Sequence, residues 1–310
     1  MQHRVQPIVQ GVARPTVFVE SRALSDRLAC DVTLALESFQ FTGSFKFRAA
    51  YNVAASVPNQ RILAASSGNF GQALAYACHL LGKRCTIVMP TTSAAVKVDA
   101  VRRYGGEVAL TDTTVISRAE RVAQLAHNQP DSYVASAYDD PLVIEGNSTL
   151  GMEIGTRKPC FDLVVAPVGG GGLAAGVLAG LLSVGARARL IGAEPLLGND
   201  AARSLRERRI VTNETEPQTI ADGARTLSLG LHNWSALQHG FETIVEVPEE
   251  DIVRAVRMLF LESNVKAEPT GALSLGAVLT DRARFRGASV CCIVSGGNVD
   301  PGVYANLIAS

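Results

Sequence analysis

Net charge is what this sequence lacks first: 29 lysines and arginines stand against 29 aspartates and glutamates in 310 residues. Such a balance steers a chain neither to nucleic acid nor to an anionic membrane surface, so a small ligand is expected. Paired cysteine spacing is missing too. Cys30, Cys78, Cys85, Cys160, Cys291 and Cys292 form no CxxC, and five of them lie among apolar residues, which reads as reduced, structural thiols. No apolar run follows Met1, so no secretory signal is expected and the cytoplasm is the default compartment. The longest charge-free stretch, Leu163 to Ala186, matches a bilayer span in length, but Pro167 and Gly169-Gly170-Gly171-Gly172 interrupt it. Strand, loop and helix describe it better than a membrane span. Low-complexity tails and short repeats are also absent.

What is present is an apolar fraction of 47% with 19% charged residues, enough for one large core or two smaller ones. Strand and helix patterns alternate along the chain. The first series predicts strands at 61–65, 85–89, 108–110 and 133–135, with helices at 71–81, 97–104 and 115–127 between them. A less regular stretch around Asp139-Asp140-Pro141 follows. The second series predicts strands at 161–167, 189–193 and 289–294 and helices at 173–183, 249–262 and 271–279. Two such series imply an α/β protein of two doubly wound open-sheet units with a crevice between them.

Polar or glycine-rich clusters follow three of those strands: Ser66-Ser67-Gly68-Asn69, Gly169 to Gly172, and Ser295-Gly296-Gly297-Asn298. Ligands of open α/β sheets bind beyond the strands' carboxyl ends, so the three should meet in one cleft. Four glycines in a row let backbone N–H groups close on an anion, and the helix predicted at Leu173 adds its positive end. Phosphate is the expected guest. Gly170, Gly172 and Ala175 also satisfy G-x-G-x-x-A, with Glu194 at the end of the next strand, which keeps a nicotinamide dinucleotide oxidoreductase under consideration. That reading leaves Lys46 unexplained. Phe45 and Phe47 flank this lysine after a turn glycine, and desolvation there would lower its pKa as Schiff-base chemistry requires. A lysine stem lying over aromatic surface at a helix start is the plain alternative. One phosphate with one activated lysine points to pyridoxal phosphate.

TGSFKFRAAYN at residues 42–52, SSGNFGQALAYA, MPTTSAAVKVDAVRRYGGEV, DDPLVIEGNSTLGMEI, PVGGGGLAAG, GAEP, ADGART, EPTGA and SGGNVD together resemble the fold type II pyridoxal-phosphate enzymes, in their serine/threonine dehydratase and serine racemase branch. The resemblance covers roughly residues 14–300 and implies the tryptophan synthase β-like fold, with residues 1–57 and 139–310 as a large cofactor-binding domain and 58–138 as a small one. It makes Lys46 the Schiff-base lysine and sets Phe45 and Glu268 near the cofactor ring. It gives Asn69 to the cofactor's phenolic oxygen, Gly169, Gly170, Gly171, Gly172 and Leu173 to its phosphate, and Ser295 to its pyridine nitrogen. Ser66, Ser67 and Asn69 would face the substrate carboxylate. Glu194, the carbonyl of Gly198 and Asp200 match in spacing a divalent-cation site of racemase-like relatives, for which oxygen ligands suit Mg or Ca. The residues admit a plainer role as well, with Glu194 satisfying loop amides and Asp200 capping a helix near Ala201. Family members usually dimerise, so a homodimer is implied.

A neutral hydroxyl at Ser295 would leave the ring a weak electron sink, favouring expulsion of a leaving group as the Cα proton departs. The implied activity is a lyase reaction: α,β-elimination from an L-3-hydroxy amino acid, giving a 2-oxo acid and ammonia. Racemisation stays open through Ser67, which would act as acid on the face opposite Lys46, and β-replacement by a second nucleophile stays open too. Three departures qualify the resemblance: Phe70 in place of the usual histidine, Ala49 in place of glycine, and Ala35 in place of a frequent lysine. Phe70 points to a specialised 3-hydroxy amino acid rather than plain serine or threonine. Past Ser310 no regulatory module is expected.

Overall fold

The computed structural model describes residues 8–66, 68–93 and 95–309. In chain order the strands are β1 (Val17–Glu20), β2 (Asp31–Leu36), β3 (Arg61–Ala65), β4 (Arg84–Pro90), β5 (Glu107–Thr111), β6 (Ser132–Val134), β7 (Leu163–Pro167), β8 (Arg189–Pro195), β9 (Phe241–Val247) and β10 (Ser289–Val294). The helices are α1 (Arg22–Leu28), α2 (Lys46–Ser56), α3 (Asn69–Leu80), α4 (Ala95–Arg103), α5 (Arg118–Asn128), α6 (Pro141–Gly155), α7 (Gly172–Ser183), α8 (Asp200–Glu207), α9 (Leu231–Leu237), α10 (Glu249–Ser263), α11 (Pro269–Thr280), α12 (Arg282–Phe285) and α13 (Pro301–Ala309). Two sheets result, one in the order β1-β2-β10-β7-β8-β9 and one in the order β5-β4-β3-β6. Among the described strands, only the β1–β2 pair is antiparallel. Among the described residues no helix is long and apolar enough to cross a membrane.

Parallel strands must be covered on both faces, which is why β7 and β10 read as unbroken apolar runs. Their residues divide by alternation. Leu163, Val165, Cys292 and Val294 enter one apolar cluster with α10 and α11, whereas Val164, Ala166, Cys291 and Ile293 enter another with α7. In the four-stranded sheet, Ile62, Ala64, Ile87 and Met89 pack with α2 and α3, and Leu63 and Val88 face Val122 of α5. The cysteines expected to be core are buried; Cys160 is exposed.

Several elements escaped the periodicity. β1, β2 and β9 are edge or near-edge strands, and the region of α6 reads as irregular although Asp140 caps it (Leu142 N to Asp140 Oδ1, 2.7 Å) and Pro141 opens it. The glycines of α6 obscure the pattern, each costing up to about 1 kcal/mol in a helix interior. They serve close packing. A Cβ on Gly146 would stand 2.5 Å from the carbonyl of Arg48 in α2, and one on Gly151 would strike the carbonyl of Val177 in α7.

The helix α2 lies where the two sheets meet. Phe47, Ala50 and Val53 join the core of the four-stranded sheet. From α2, Arg48 reaches away from that core. Fully buried, it pairs with Glu37 after β2 (2.8 Å) and with Glu153 of α6 (2.7 Å), and also donates to Thr149 and Thr16. Removing one partner of a buried ion pair strands the other charge, at a cost of about 3–5 kcal/mol. Arg48→Met should therefore lower the unfolding free energy by that amount, read as a lower urea midpoint at unchanged m-value; a loss under about 1 kcal/mol would show that α2 is not anchored here.

Candidate active site

Lys46 is delivered by a strained turn. Thr42, β-branched, has φ 60° and Gly43 follows at φ 76°, so the chain reverses just before α2. Such a Thr conformation costs of order 1–3 kcal/mol and survives because neighbouring contacts hold it. Those contacts come from the loop after β10: Phe45 N donates to Ser295 O at 3.0 Å, Gly297 N to Gly43 O at 3.0 Å, and Asn298 Nδ2 to Thr42 O at 2.7 Å. The Lys46 ammonium donates to Ala137 O at 2.7 Å and lies 5.1 Å from the centroid of Phe45 and 5.9 Å from that of Phe70. Burial lowers its pKa to about 8, with Glu268 acting in the opposite sense.

A cavity of about 1230 Å³ opens above this amine between the two sheets. Phe45, Lys46, Ser66, Asn69, Gly169 to Gly172, Leu173, Glu268 and Ser295, read from the sequence as site residues, all line it. Ser67 lies outside the described residues. The glycine loop joins β7 to α7, and its second and fourth members pack on the segment after β6: a Cβ on Gly170 would strike the Tyr138 ring, and one on Gly172 would stand 2.5 Å from Tyr138 O. The first-turn N–H groups of α7 have no intrahelical partner and, with the helix dipole, favour an anion.

Asn69 opens α3, on the four-stranded side of the cleft. Its amide N–H donates to Glu268 Oε1 at 2.8 Å and its Oδ1 accepts from Asn298 Nδ2 at 2.8 Å, both partners belonging to the other sheet's loops. Glu268 is buried, and that burial raises its carboxyl to about 8, helped by Asp222 and opposed by the Asn69 hydrogen bond. Ser66 Oγ accepts from Gly71 N at 3.0 Å, which shapes the turn into α3.

The residues read as metal ligands are not among the cavity's lining. Both oxygens of Glu194 accept α8 amides, from Ala201 N and Ala202 N at 2.9 Å, which is the plainer of the two roles read for it. Asp200 does not cap the helix but opens it; Oδ1 accepts from Asn213 Nδ2 at 2.9 Å while Oδ2 is buried without a partner. Among the described residues no group of three or more His, Cys, Asp or Glu is arranged around a common metal position.

Other cavity groups were given no role from the sequence, although Lys97 and Arg103 lie within MPTTSAAVKVDAVRRYGGEV and Thr226 closes ADGART. Thr226 lines the cavity near Gly169, with a buried hydroxyl that has no partner. Lys97 of α4 reaches Asp222 across the cleft at 2.9 Å. Arg103 and Arg118 line the same cavity, and no carboxylate among the described residues pairs with either. Arg118 begins α5, whose entry is fixed by a capping box between Ser117 and Glu120. A cation at a helix start runs against the macrodipole, so the fold gains nothing from it there.

A sequence model described as pyridoxal-phosphate dependent enzyme matches residues 9–296. The L-threo-3-hydroxyaspartate ammonia-lyase of Pseudomonas sp is 35% identical over 304 residues, covering 97% of this chain and 95% of that protein. Among solved structures, a threonine deaminase from T.th. superposes with TM-score 0.89 at 38% identity, covering 94% of this chain and 95% of the other. Maize serine racemase superposes with TM-score 0.91 at 28% identity, covering 97% and 93%.

Because burial lowers the Lys46 pKa, its amine is neutral and nucleophilic above about pH 8. Reaction of the cofactor-free protein with pyridoxal phosphate, trapped by borohydride at successive pH values, should label Lys46 with a midpoint near 8. A midpoint above about 10 would mark an ordinary solvated lysine.

Proposed function

Because this chain belongs to the pyridoxal-phosphate dependent enzymes, we propose that it is an ammonia-lyase acting on an L-3-hydroxy amino acid that carries a second carboxylate, of the 3-hydroxyaspartate type. One observation carries the reading: a desolvated lysine and a glycine-rich helix N-terminus share one cavity, in which two arginines have no carboxylate partner among the described residues. The donor set fits the cofactor. Lys46 suits its carbonyl, the amides opening α7 suit its phosphate, and Ser295 offers a neutral hydroxyl to its pyridine nitrogen.

When bound, pyridoxal phosphate supplies an electron sink that acidifies the Cα proton of an amino acid joined to it. Lys46 Nζ, neutral once its proton is lost near pH 8, takes that proton as general base. The start of α3, shaped by Ser66, binds the α-carboxylate with backbone N–H groups, and Asn69 orients the reacting end. Burial raises the Glu268 carboxyl to about 8, which favours its protonated form at neutral pH, while Oε1 accepts from Asn69. Arg118 and Arg103 hold the distal carboxylate. Loss of the 3-hydroxyl and hydrolysis of the released product give oxaloacetate and ammonia from 3-hydroxyaspartate. Racemisation is the competing outcome.

A divalent cation, Mg or Ca, at Glu194, the Gly198 carbonyl and Asp200 is part of the proposal, supported by the unpartnered Asp200 oxygen beside Glu194. Its test is thermal: EDTA should lower the unfolding temperature and added Mg or Ca should restore it. A homodimer in the cytoplasm is retained from the sequence, with sedimentation and fractionation as the checks.

Incubation with L-threo-3-hydroxyaspartate, L-threonine and L-serine should release ammonia and 2-oxo acid fastest from the first, and Lys46→Ala should abolish release. Conversion of L- to D-enantiomer faster than ammonia release would overturn the lyase reading. Arg118→Ala should raise KM for hydroxyaspartate about 10- to 100-fold, the worth of one charged hydrogen bond, and leave KM for threonine nearly unchanged. An equal rise for both substrates would remove Arg118 from the distal subsite.

A further inference from the structure

Three carbonyls of the glycine loop, those of Gly170, Gly171 and Gly172, are each engaged by a donor. Gly170 O accepts from Asn233 Nδ2 at 2.6 Å and from Gly230 N at 3.1 Å, Gly171 O from Ala175 N at 2.9 Å, and Gly172 O from Asn147 Nδ2 at 3.0 Å. Asn233 comes from α9 and Asn147 from α6, so two helices grip the loop from outside. Neither asparagine lines the cavity; both are buried, at 0% and 1% exposure.

A trans peptide carries its N–H on the side opposite its C=O. With the carbonyls of Gly170, Gly171 and Gly172 held away from the cavity, the N–H groups of Gly171, Gly172 and Leu173 turn into it. The orientation of both side-chain amides is forced. Asn233 Nδ2 donates to two carbonyls, Gly170 O and Tyr138 O (3.0 Å), and a flipped amide would press oxygen against oxygen. The Oδ1 of each asparagine is buried with no partner, so neither residue is retained for balanced hydrogen bonding of its own.

We infer that Asn233 and Asn147 are positioning residues for the cofactor's phosphate: they pin the outer carbonyls of the glycine loop and thereby aim its amides at the anion. The inference rests on the proposed reading of that loop as the phosphate site and adds the residues that organise it. The Gly171 carbonyl is already held by Ala175 N of α7, so the asparagines bear on the peptides either side of it, where glycine by itself would let a carbonyl oxygen turn toward the anion. An aspartate at either position would lose the donor and set a negative charge behind the loop.

The test compares pyridoxal phosphate with pyridoxal, which lacks only the phosphate. Binding to the cofactor-free full chain is followed by absorbance and by borohydride trapping on Lys46. Asn233→Asp and, as a second variant on the other helix, Asn147→Ser should each weaken pyridoxal phosphate binding at least tenfold while pyridoxal trapping stays within twofold of wild type. Retained pyridoxal trapping shows that the variant is folded. Unchanged affinity for pyridoxal phosphate, or equal loss for both compounds, overturns the inference. Wild-type protein that binds neither compound at Lys46 overturns the cofactor reading itself, and the inference with it.

Discussion

Arg48 is wholly buried, and its guanidinium donates to Glu37, Glu153, Thr149, Thr16 and the Arg14 carbonyl. Such a group is tolerated away from water only if nearly every N–H finds an acceptor, so the surrounding backbone has little freedom. Those acceptors lie in the segment before β1, at the end of β2 and on α6. Position and tilt of α2 follow from them, and Lys46 stands at the start of that helix. The apolar side of α2 meanwhile belongs to the core of the four-stranded sheet. One helix thus ties the reactive amine to both sheets.

The same economy governs the cleft. Asn69 is carried by α3 beside the four-stranded sheet, yet its amide is spoken for by Glu268 and Asn298 from the other side, and Lys97 adds an exposed ion pair to Asp222 at the rim. That rim pair is partly solvated and contributes little to stability, about 0–1 kcal/mol. The buried contacts matter more. They hold polar groups in one orientation at the point where a ligand would enter, in a low-dielectric setting that shifts Lys46 down and Glu268 up toward a common range near 8.

Legibility followed the strength of local signals. β3 and β10 fall at the residues read from the sequence, because short apolar runs bounded by turn chemistry have few alternatives. The structure's α6 was unreadable, since its glycines are chosen for contact with α2 and α7 rather than for helix propensity. Among site residues, Lys46 and the glycine loop carry local signatures. Arg118 carries none, and Arg103 and Thr226 lie in strings of the resemblance that assign them no role: each becomes a site candidate only through the cavity that distant segments enclose. The metal residues show the converse, where spacing suggested a ligand set and the structure also gives Glu194 a capping role on α8.

By itself the sequence determined the α/β class, the three loops that follow strands β3, β7 and β10, and the family, because strand alternation, consecutive glycines and a lysine between aromatic residues are local facts of the chain. Tertiary structure alone decided what those loops do for one another. Whether a glycine carbonyl faces a ligand or an asparagine depends on a helix far along the chain, 63 residues away for Gly170 and Asn233, and no local pattern encodes that distance. Burial behaves likewise. A lysine's pKa responds to every group that displaces water around it, and that set exists only once the chain has closed over the cavity.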